Sequence, residues 1–450
     1  MNKKYPWKRF LSSVLACGML LGCFTGCDAK NGEIETIKYS TLGNNPGPIT
    51  TNPLPSGVTL PDDVVTPDVP SPTPITLTVW GPTEDIGEGR WLTTQLKAFE
   101  KAYKDEYDVT WEVGVCYEGD AQTMVTSDPE AAADVYMFSS DQLGALIHAG
   151  GLAQLGGANL EQVKNSNYGW AIDSVTYTDG CIYGYPVSSQ TWFMYYNKSM
   201  ISAEEAKSLE AMLAKTQVAF DWGNGWYNGS FFFGAGGTLF GPNGLDADAG
   251  VDYKGETGGA VAKRMVELYN AGMIDGGNGA DLALFMEGRV GAFFSGSWSY
   301  APLKKTLGDA LGIAVLPSFT VGGMSYNMKS FSGTKCVGVN AHIDSPTVAK
   351  AANELAAFLS SEESQELRFA LRGVTPTNKN VINSHAVQNH PVCSVELEVM
   401  SNYSIMQPGI PAMGRYWSPM GTFGGSIPSG AINEDNVADY LLQTLAQING

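Results

Sequence analysis

The order of strand and helix patterns after residue 75 constrains the fold of this chain most. A short β-rich run, Thr76–Trp80, is followed by a helical pattern that places Leu92, Leu96, Phe99 and Tyr103 on one face, and then by a second strand pattern at 109–115. Strands joined through a helix run in the same direction, so this order predicts an α/β fold with a parallel sheet.

The same alternation continues along the chain. Further strands are expected at 134–138, 290–294 and 312–316, and further helices at 141–149, 261–270, 282–287 and 346–359. Ser345 is the expected N-cap of the last of these helices, with Pro346 at its first position. No repeat of short period is visible, which favours two lobes over a solenoid.

The first 75 residues have a different composition. Basic residues, among them Lys8 and Arg9, precede an apolar run at 10–24 that is too short to span a bilayer. Residues 1–26 are therefore predicted to be a lipoprotein signal peptide, with Cys27 or alternatively Cys23 as the lipidated residue; a cleaved signal without lipid is the remaining alternative. Residues 27–75, rich in Pro and Thr, are expected to be a disordered tether. The predicted location is the cell surface, on the outer face of the cytoplasmic membrane, because a diacylated cysteine anchors durably.

The charge of the chain limits its partners. The formal net charge is −19, and no run of Lys or Arg follows the signal region. This pattern argues against nucleic acid as a partner and favours a neutral ligand, a cationic ligand or another protein. Beyond the anchor region the cysteines are widely spaced and form no C-x-x-C pair, so they are either buried thiols or one or two disulfides. They are Cys116, Cys181, Cys336 and Cys393.

Catalytic signatures are absent from the sequence. There is no G-x-S-x-G, P-loop, H-E-x-x-H or G-x-G-x-x-G pattern, and the four histidines lack metal-ligand spacing. We therefore predict no enzyme activity, no metal and no cofactor. Two carboxylates about 5 to 9 Å apart are nevertheless enough for a glycosidase, and Glu84, Asp85 and Asp141, which follow predicted strands, are its nominees.

Aromatic residues also follow strands or lie in glycine-rich loops. Trp298 comes shortly after the strand at 290–294, Trp226 and Tyr227 lie in the glycine-rich stretch 224–237, and Tyr416 and Trp417 follow a Pro/Gly-rich loop. Flat rings stack on the apolar face of a pyranose, while carboxylates and amides bond its hydroxyls. The pattern indicates a sugar site. Trp80, Trp111 and Trp170 are instead expected in the core.

Several stretches resemble one known family, the extracellular solute-binding proteins of carbohydrate ABC importers, in the maltose/maltodextrin-binding branch. Besides the first strand and its helix, the stretches are DVYMFSSDQLGALIHAGGLAQL at 134–155, IYGYPVSSQTWFMYYNKS at 182–199, FMEGRVGAFFSGSW and GIAVLPSF within 285–319, and MQPGIPAMGRYW at 406–417. The last stretch is the most specific to maltodextrin binders.

The resemblance implies a two-lobe periplasmic-binding-protein-like fold with a ligand cleft between the lobes. Residues 76–190 and 330–385 would form the N-terminal lobe, and residues 191–329 and 386–450 the C-terminal lobe. Hinge segments are expected to cross near 188–191, 328–332 and 382–394. The implied function is to capture an oligosaccharide by hinge closure and to deliver it to the transmembrane subunits of an ABC permease, without a reaction.

The resemblance also implies roles for single residues. Trp298 and Trp417 would be stacking platforms, faced by Trp226 and Tyr227, with Tyr416 beside them. Asp141 would be the carboxylate that bonds sugar hydroxyls, and Glu84 a second acid.

Four positions depart from the family pattern, namely Asp85, Phe138, Gln142 and Gln190. Amides still bond hydroxyls, so these positions are kept as candidate site residues. The departures leave the sugar open: it is of the maltose or maltooligosaccharide type or, as an alternative, a different oligosaccharide, and a surface glycosidase is the third reading.

Overall fold

The computed structural model describes residues 71–277 and 279–450. The predicted signal peptide, both candidate lipidation sites and the predicted tether up to residue 70 lie outside the described residues. The first strand begins at Thr73, so the last three residues of the expected tether belong to that strand. In the part of the chain that the structure describes, no helix has both the length and the apolar character needed to cross a membrane.

Two compact units are present. Residues 71–73 and 100–108 belong to a small one, in which the Thr73 amide donates to the Glu106 carbonyl at 2.9 Å and the rings of Tyr103 and Tyr107 stack at 6.2 Å. Residues 74–99 and 109–450 form the large unit.

The strands and helices alternate as the sequence predicts. The strands are β1 (Thr73–Gly81), β2 (Tyr107–Val115), β3 (Val135–Ser139), β4 (Tyr185–Gln190), β5 (Phe193–Asn197), β6 (Val218–Phe220), β7 (Thr238–Leu239), β8 (Val251–Asp252), β9 (Met273–Asp275), β10 (Ala292–Ser295), β11 (Leu311–Ala314), β12 (Ser318–Val321), β13 (Met324–Asn327), β14 (Ser330–Val339) and β15 (Ser404–Met406). The helices are α1 (Trp91–Tyr103), α2 (Ala121–Ser127), α3 (Leu143–His148), α4 (Gly157–Ser166), α5 (Gly169–Asp173), α6 (Leu209–Leu213), α7 (Gly225–Asn228), α8 (Ser230–Gly234), α9 (Glu256–Asn270), α10 (Ala280–Met286), α11 (Tyr300–Leu307), α12 (Pro346–Leu359), α13 (Glu362–Arg372), α14 (Lys379–Ile382), α15 (His385–Gln388), α16 (Pro391–Asn402), α17 (Gly414–Gly425) and α18 (Val437–Asn449).

The two larger sheets form the centres of two lobes. In the first sheet the strand order is β15-β14-β3-β1-β2, and β4 also pairs with β14. The order in the second sheet is β11-β5-β10-β6-β9. The predicted parallel pairing holds for β1 with β3 and for β10 with β6, whereas β14 and β5 are antiparallel to most of their neighbours. The predicted α/β two-lobe fold is confirmed.

Local sequence signals account for several element ends. The Ser345 hydroxyl accepts from the Val348 amide, and Pro346 occupies the first turn of α12, as predicted. Helix α3 stops before Gly150, whose φ of 76° is readily adopted only by glycine. Leu92, Leu96 and Phe99 of α1 are buried, which confirms the apolar face predicted for that helix.

The core of the second lobe is unusually aromatic. Phe220 contacts Trp222, Phe231 and Phe294 with ring centroids 5.0 to 5.6 Å apart in edge-on geometry. Such pairs stabilise a core by about 0.5–1.5 kcal/mol each beyond the area they bury. The glycine-rich stretch 224–237 therefore supplies core rings as well as site rings.

The segments that pass between the sheets are hydrogen-bonded to one another. Thr191, just after β4, shares a hydrogen bond of 2.7 Å with the Ser330 hydroxyl and donates to the Phe331 carbonyl. The Ser330 amide donates to the Tyr403 carbonyl at 2.9 Å. Both Thr191 and Ser330 are fully buried. Three chain segments thus meet at one place between the lobes.

The last of these segments differs from the expected lobe boundaries. Helix α16 contributes Val392 and Val399 to a cluster with Phe193 and Tyr195 of the second sheet. The chain then returns, and β15 pairs with β14 in the first sheet, although its residues fall in a range expected in the C-terminal lobe. In this pairing the two strands are parallel, and Phe331 lies opposite Ile405.

Three tryptophans expected in the core are only half-buried. Trp80, Trp111 and Trp170 lie at intermediate exposure, whereas Trp91, Trp192 and Trp222 are fully buried. Trp111 packs edge-on against Phe99 at 6.1 Å. The cysteines expected as thiols or disulfides are free thiols, of which Cys116, Cys336 and Cys393 are buried.

Asp85 lies in a buried ion network. Its two carboxylate oxygens accept from Arg368 at 2.9 Å and from Arg372 at 2.5 Å, and the Asp85 side chain is fully buried. Arg368 also bonds Glu118 at 3.1 Å and lies over the Trp91 ring. Both carboxylate oxygens thus have guanidinium partners, and the ligand role of Asp85 stays a prediction.

Asp85→Ala is expected to lower the free energy of unfolding by about 3–5 kcal/mol, because Arg368 would be left as a buried charge with one partner removed. The matched control is Glu84→Ala, the exposed acid next to it, for which a change within about 0.5 kcal/mol is expected. Urea denaturation of both variants measures the difference. Equal effects would contradict the structural role of Asp85.

The buried carboxyl of Glu396 predicts that the stability of the fold depends on pH. Its carboxyl accepts from the Ser189 hydroxyl at 3.0 Å and from the Thr375 hydroxyl at 2.7 Å, and burial raises its pKa to about 7. The unfolded carboxyl releases its proton near pH 4.3, so the stability that this group contributes is complete below that pH and is lost as the pH rises through about 7.

Glu396→Gln mimics the protonated form. Its stability relative to the parent is therefore expected to increase from pH 5 to pH 8, as measured by urea denaturation at each pH. A constant difference between the two proteins over this range would show that Glu396 does not titrate as the buried geometry requires.

Candidate functional site

Two tryptophan rings stand together at the carboxyl ends of neighbouring strands. Trp298 lies in the turn Ser297–Ser299 just after β10, and Trp226 lies in α7 after β6. Because β10 and β6 are parallel, these two chain segments leave the sheet at the same edge. The ring centroids are 6.0 Å apart with 29° between the planes, and 56% of Trp298 is exposed. An exposed indole held against a second one is a flat apolar surface facing solvent.

The backbone around Trp298 fixes its ring. A Cβ atom at Gly296 would collide with the six-membered part of the Trp298 indole. Glycine therefore permits the ring to fold back over the chain. The Tyr195 hydroxyl donates to the Gly296 carbonyl at 2.9 Å, which holds the same turn from the sheet below.

Two further predicted aromatics border this pair. Tyr227 is buried behind Trp226, with ring centroids 5.3 Å apart, and packs on Trp192 at 4.9 Å. Trp417 of α17 is half-buried and packs edge-on against Phe331 at 5.8 Å. Phe331 follows the crossing residue Ser330, so Trp417 lies next to the junction of the lobes.

A polar chain connects the first lobe to the tryptophans. The Trp226 indole N–H donates to the Gln407 side-chain oxygen at 3.0 Å. Burial raises the pKa of Asp141, and the nearby Lys335 ammonium and Gln407 side chain oppose that rise. Gln407 thus lies near both Trp226 and Asp141, and the ligand role of Asp141 stays a prediction.

The sequence reasoning missed Gln407, although it lies within the stretch 406–417 that carries the resemblance. A polar amide between Met406 and Pro408, just upstream of the predicted Trp417, was the available signal.

Three other predicted site residues are structural. Phe138 is fully buried and packs near Tyr136. Gln142 is buried, and its amide is occupied, donating to the Gly119 carbonyl at 2.5 Å and accepting from the Gln122 amide. Tyr416 is fully buried, and its hydroxyl donates to the Gly225 carbonyl at 3.2 Å. These contacts give the three side chains a structural role, and their ligand roles stay predictions.

Glu84 and Gln190 stay predictions. Glu84 is exposed, and its backbone carbonyl accepts from Arg90. Gln190 is half-buried at the end of β4, opposite Gly333 of β14. The structure gives neither side chain a contact with the tryptophan pair.

A cavity of about 500 Å³ also reaches Gln407. It is lined by residues of both lobes, from the stretches 170–177 and 400–409 together with Leu143, Asn243, Leu245 and Ser332. Trp170, expected in the core, is part of this lining. Trp226, Trp298 and Trp417 do not line the cavity, but its lining residue Gln407 accepts from the Trp226 indole.

Among the described residues, no cluster of His, Cys, Asp or Glu side chains is arranged to hold a metal ion. The groups that the site does offer are flat rings, one carboxylate and one amide. They can stack on an apolar face and exchange hydrogen bonds with hydroxyls.

Two α/β lobes joined by crossing segments, with aromatic and polar groups at the strand ends, define a solute-binding protein. The family model described as bacterial extracellular solute-binding protein matches residues 94–393, and the chain belongs to this family. The resemblance to the solute-binding proteins of sugar ABC importers is thus confirmed.

Known relatives agree with this assignment. The galactooligosaccharide-binding protein of Bacillus subtilis (strain 168) is 27% identical over 82% of this chain and 88% of its own length. A maltooligosaccharide ABC transporter solute-binding lipoprotein of Streptococcus pneumoniae (strain ATCC BAA-255 / R6) is 25% identical over 74% of this chain and 80% of its own length. By name, these relatives bind oligosaccharides.

Solved structures give the same picture. A chain described as solved with acarbose is 40% identical, with a TM-score of 0.79, over 83% of this chain and 98% of that one. The ligand-free maltodextrin binding protein of L. casei BL23 is 27% identical, with a TM-score of 0.77, over 84% of this chain and all of that one.

Replacing an exposed and a buried ring tests the division between site and core. Trp298→Ala is expected to change the free energy of unfolding by no more than about 0.5 kcal/mol, because the ring is largely exposed. Tyr416→Ala is expected to cost about 3–5 kcal/mol, because that ring is fully buried. Urea denaturation compares the two, and a large loss at Trp298 would place it in the core.

Proposed function

We propose that this chain is the lipid-anchored substrate-binding subunit of an ABC sugar importer. It captures sugars of the maltose or maltooligosaccharide type between its lobes and delivers them to the transmembrane subunits of a permease. The single observation that carries the proposal is the exposed Trp298 stacked beside Trp226 at the carboxyl ends of β10 and β6.

The physical basis is the match between this surface and a pyranose. The C–H face of the sugar stacks on the indoles, and its hydroxyls exchange hydrogen bonds with Asp141 and Gln407. Asp141 lies in the first lobe and Trp226 in the second, so a ligand that contacts both stabilises the closed arrangement.

The crossing segments support closure as a hinge motion. Thr191, Ser330 and the Tyr403 carbonyl are bonded to one another in the buried junction. Binding energy then selects the closed form, and the closed complex docks on the permease.

The alternative is another oligosaccharide on the same site. The galactooligosaccharide-binding relative from Bacillus subtilis supports this reading as directly as the maltooligosaccharide binders support the first. Stacking on indoles does not select one sugar, since many pyranoses have an apolar face. The hydrogen-bonding groups around the rings determine the preference.

A surface glycosidase has less support. Of its three nominated acids, Asp85 is held by Arg368 and Arg372. The relatives are named as binding proteins. We therefore propose that the chain is not an enzyme.

The anchor belongs to the same proposal. The signal pattern at residues 1–26 and the following Cys27, or alternatively Cys23, are those of a lipoprotein, and two relatives are named lipoproteins. A predicted tether at 27–75 would let the lobes reach the permease from the outer face of the cytoplasmic membrane.

Calorimetric titration tests the ligand. We expect maltotriose to bind with a micromolar or lower Kd and to be recovered intact by chromatography, whereas a β-linked trisaccharide and a monosaccharide bind weakly. Trp298→Ala and Trp417→Ala are each expected to weaken binding by about tenfold, the equivalent of about 1.4 kcal/mol.

Three outcomes would contradict parts of this proposal. Binding of the β-linked trisaccharide in place of maltotriose would show that the ligand is a different sugar, and the importer function would stand. Cleaved sugar after the titration would show that the protein is a glycosidase and not a binding protein. Unchanged binding in the double variant Trp298→Ala/Trp417→Ala would move the site elsewhere.

A further inference from the structure

Lys335 lies in the first sheet, between the ends of two neighbouring strands. It is in the middle of β14, where it pairs with Ser139 at the end of β3 and with Ser188 near the end of β4. Ser139 is two residues from Asp141, and Ser188 is two residues from Gln190. The strand ends that deliver the polar residues of the first lobe therefore converge on Lys335.

The ammonium of Lys335 has few protein partners. The side chain is half-buried, and its Nζ donates to the Ser139 hydroxyl at 2.5 Å. Across residues 71–277 and 279–450, it forms no salt bridge. An ammonium has three donors, so two remain for groups outside the sheet. A partly buried charge with unused donors binds a polar ligand group readily, because its dehydration is already partly complete.

The site otherwise lacks a charged donor. Asp141 accepts hydrogen bonds, and the Gln407 oxygen already accepts from Trp226. A sugar hydroxyl both donates and accepts, and a ring with several hydroxyls needs donors as well as acceptors around it. Lys335 lies close enough to Asp141 to influence its ionisation. The two side chains together offer a donor and an acceptor to neighbouring hydroxyls.

We infer that Lys335 is a ligand-binding residue of this site, whose ammonium donates to one sugar hydroxyl while Asp141 accepts from the next. The inference rests on the proposed function. It assigns the first lobe a cationic contact that stands opposite the tryptophans of the second lobe.

The test uses the full-length protein and maltotriose. Lys335→Met keeps the aliphatic stem and removes the charge, and is expected to weaken binding at least tenfold. Lys335→Arg keeps a cationic donor and should recover most of the affinity. Lys263→Met, at an exposed lysine of α9, is the control for the change in net charge and should bind as the parent does.

A second comparison separates contact from an indirect effect through Asp141. In an Asp141→Asn background there is no carboxylate for Lys335 to influence, and Lys335→Met should still weaken binding severalfold if the ammonium contacts the sugar. No further loss in that background would make Lys335 a positioning residue for Asp141 and would overturn the inference.

A measurement on the unaltered protein guards against a variant that fails to fold. Acetylation of lysines, followed by mass spectrometry, should be slowed at least fivefold at Lys335 by saturating maltotriose and unchanged at Lys263. Equal labelling with and without the sugar would overturn the inference.

Different results would overturn the assignment of Lys335 and the proposed function. If the parent binds maltotriose and Lys335→Met binds within twofold of it, the assignment of Lys335 is wrong and the importer function stands. If the parent binds none of the three sugars used above, the proposed function and the assignment of Lys335 both fall.

Discussion

The junction of the crossing segments is the constraint on which the two-lobe architecture depends. Each time the chain leaves one sheet for the other, its backbone groups lose their ladder partners and must find others. Here the crossing segments satisfy one another through Thr191, Ser330 and the Tyr403 carbonyl. Their small hydroxyl side chains fit in a fully buried place and still form hydrogen bonds. The lobes can therefore be joined without a continuous core between them.

This junction also determines where the site lies. The strands that meet it end beside it, so residues just beyond β3 and β4 face those just beyond β6 and β10. Trp417 reaches the same place through its contact with Phe331, one residue after the crossing. A site assembled in this way contains residues that are far apart in sequence.

Much of the fold could be predicted from local sequence. The alternation of period-2 and helical patterns, the Ser345–Pro346 helix start and the loop position of Trp298 depend on neighbours in the chain, and the structure has them as predicted. The parallel pairing of β1 and β3 follows from the same logic. The antiparallel insertion of β14 does not, because it is set by a strand that arrives from the other lobe.

The candidate site was predictable in its aromatic part and less so in its polar part. Glu84 and Asp85 are adjacent acids, and nothing local distinguishes them. Asp85 is buried because Arg368, which is 283 residues away, binds it. Lys335 could likewise not be predicted from its neighbours in the chain, because its partners Ser139 and Ser188 are far away in the sequence. The available signal was a single lysine in the otherwise uncharged strand Ser330–Val339. Long-range pairing decides which polar residue is structural and which is available.

The position of Gln407 has a consequence for the boundary between the lobes. Its side-chain oxygen accepts from the Trp226 indole of the second lobe, and its side chain lies close enough to Asp141 of the first lobe to lower the pKa of that carboxyl. One amide thus serves a polar group in each lobe. A single substitution at Gln407 therefore changes the surroundings of both groups at once.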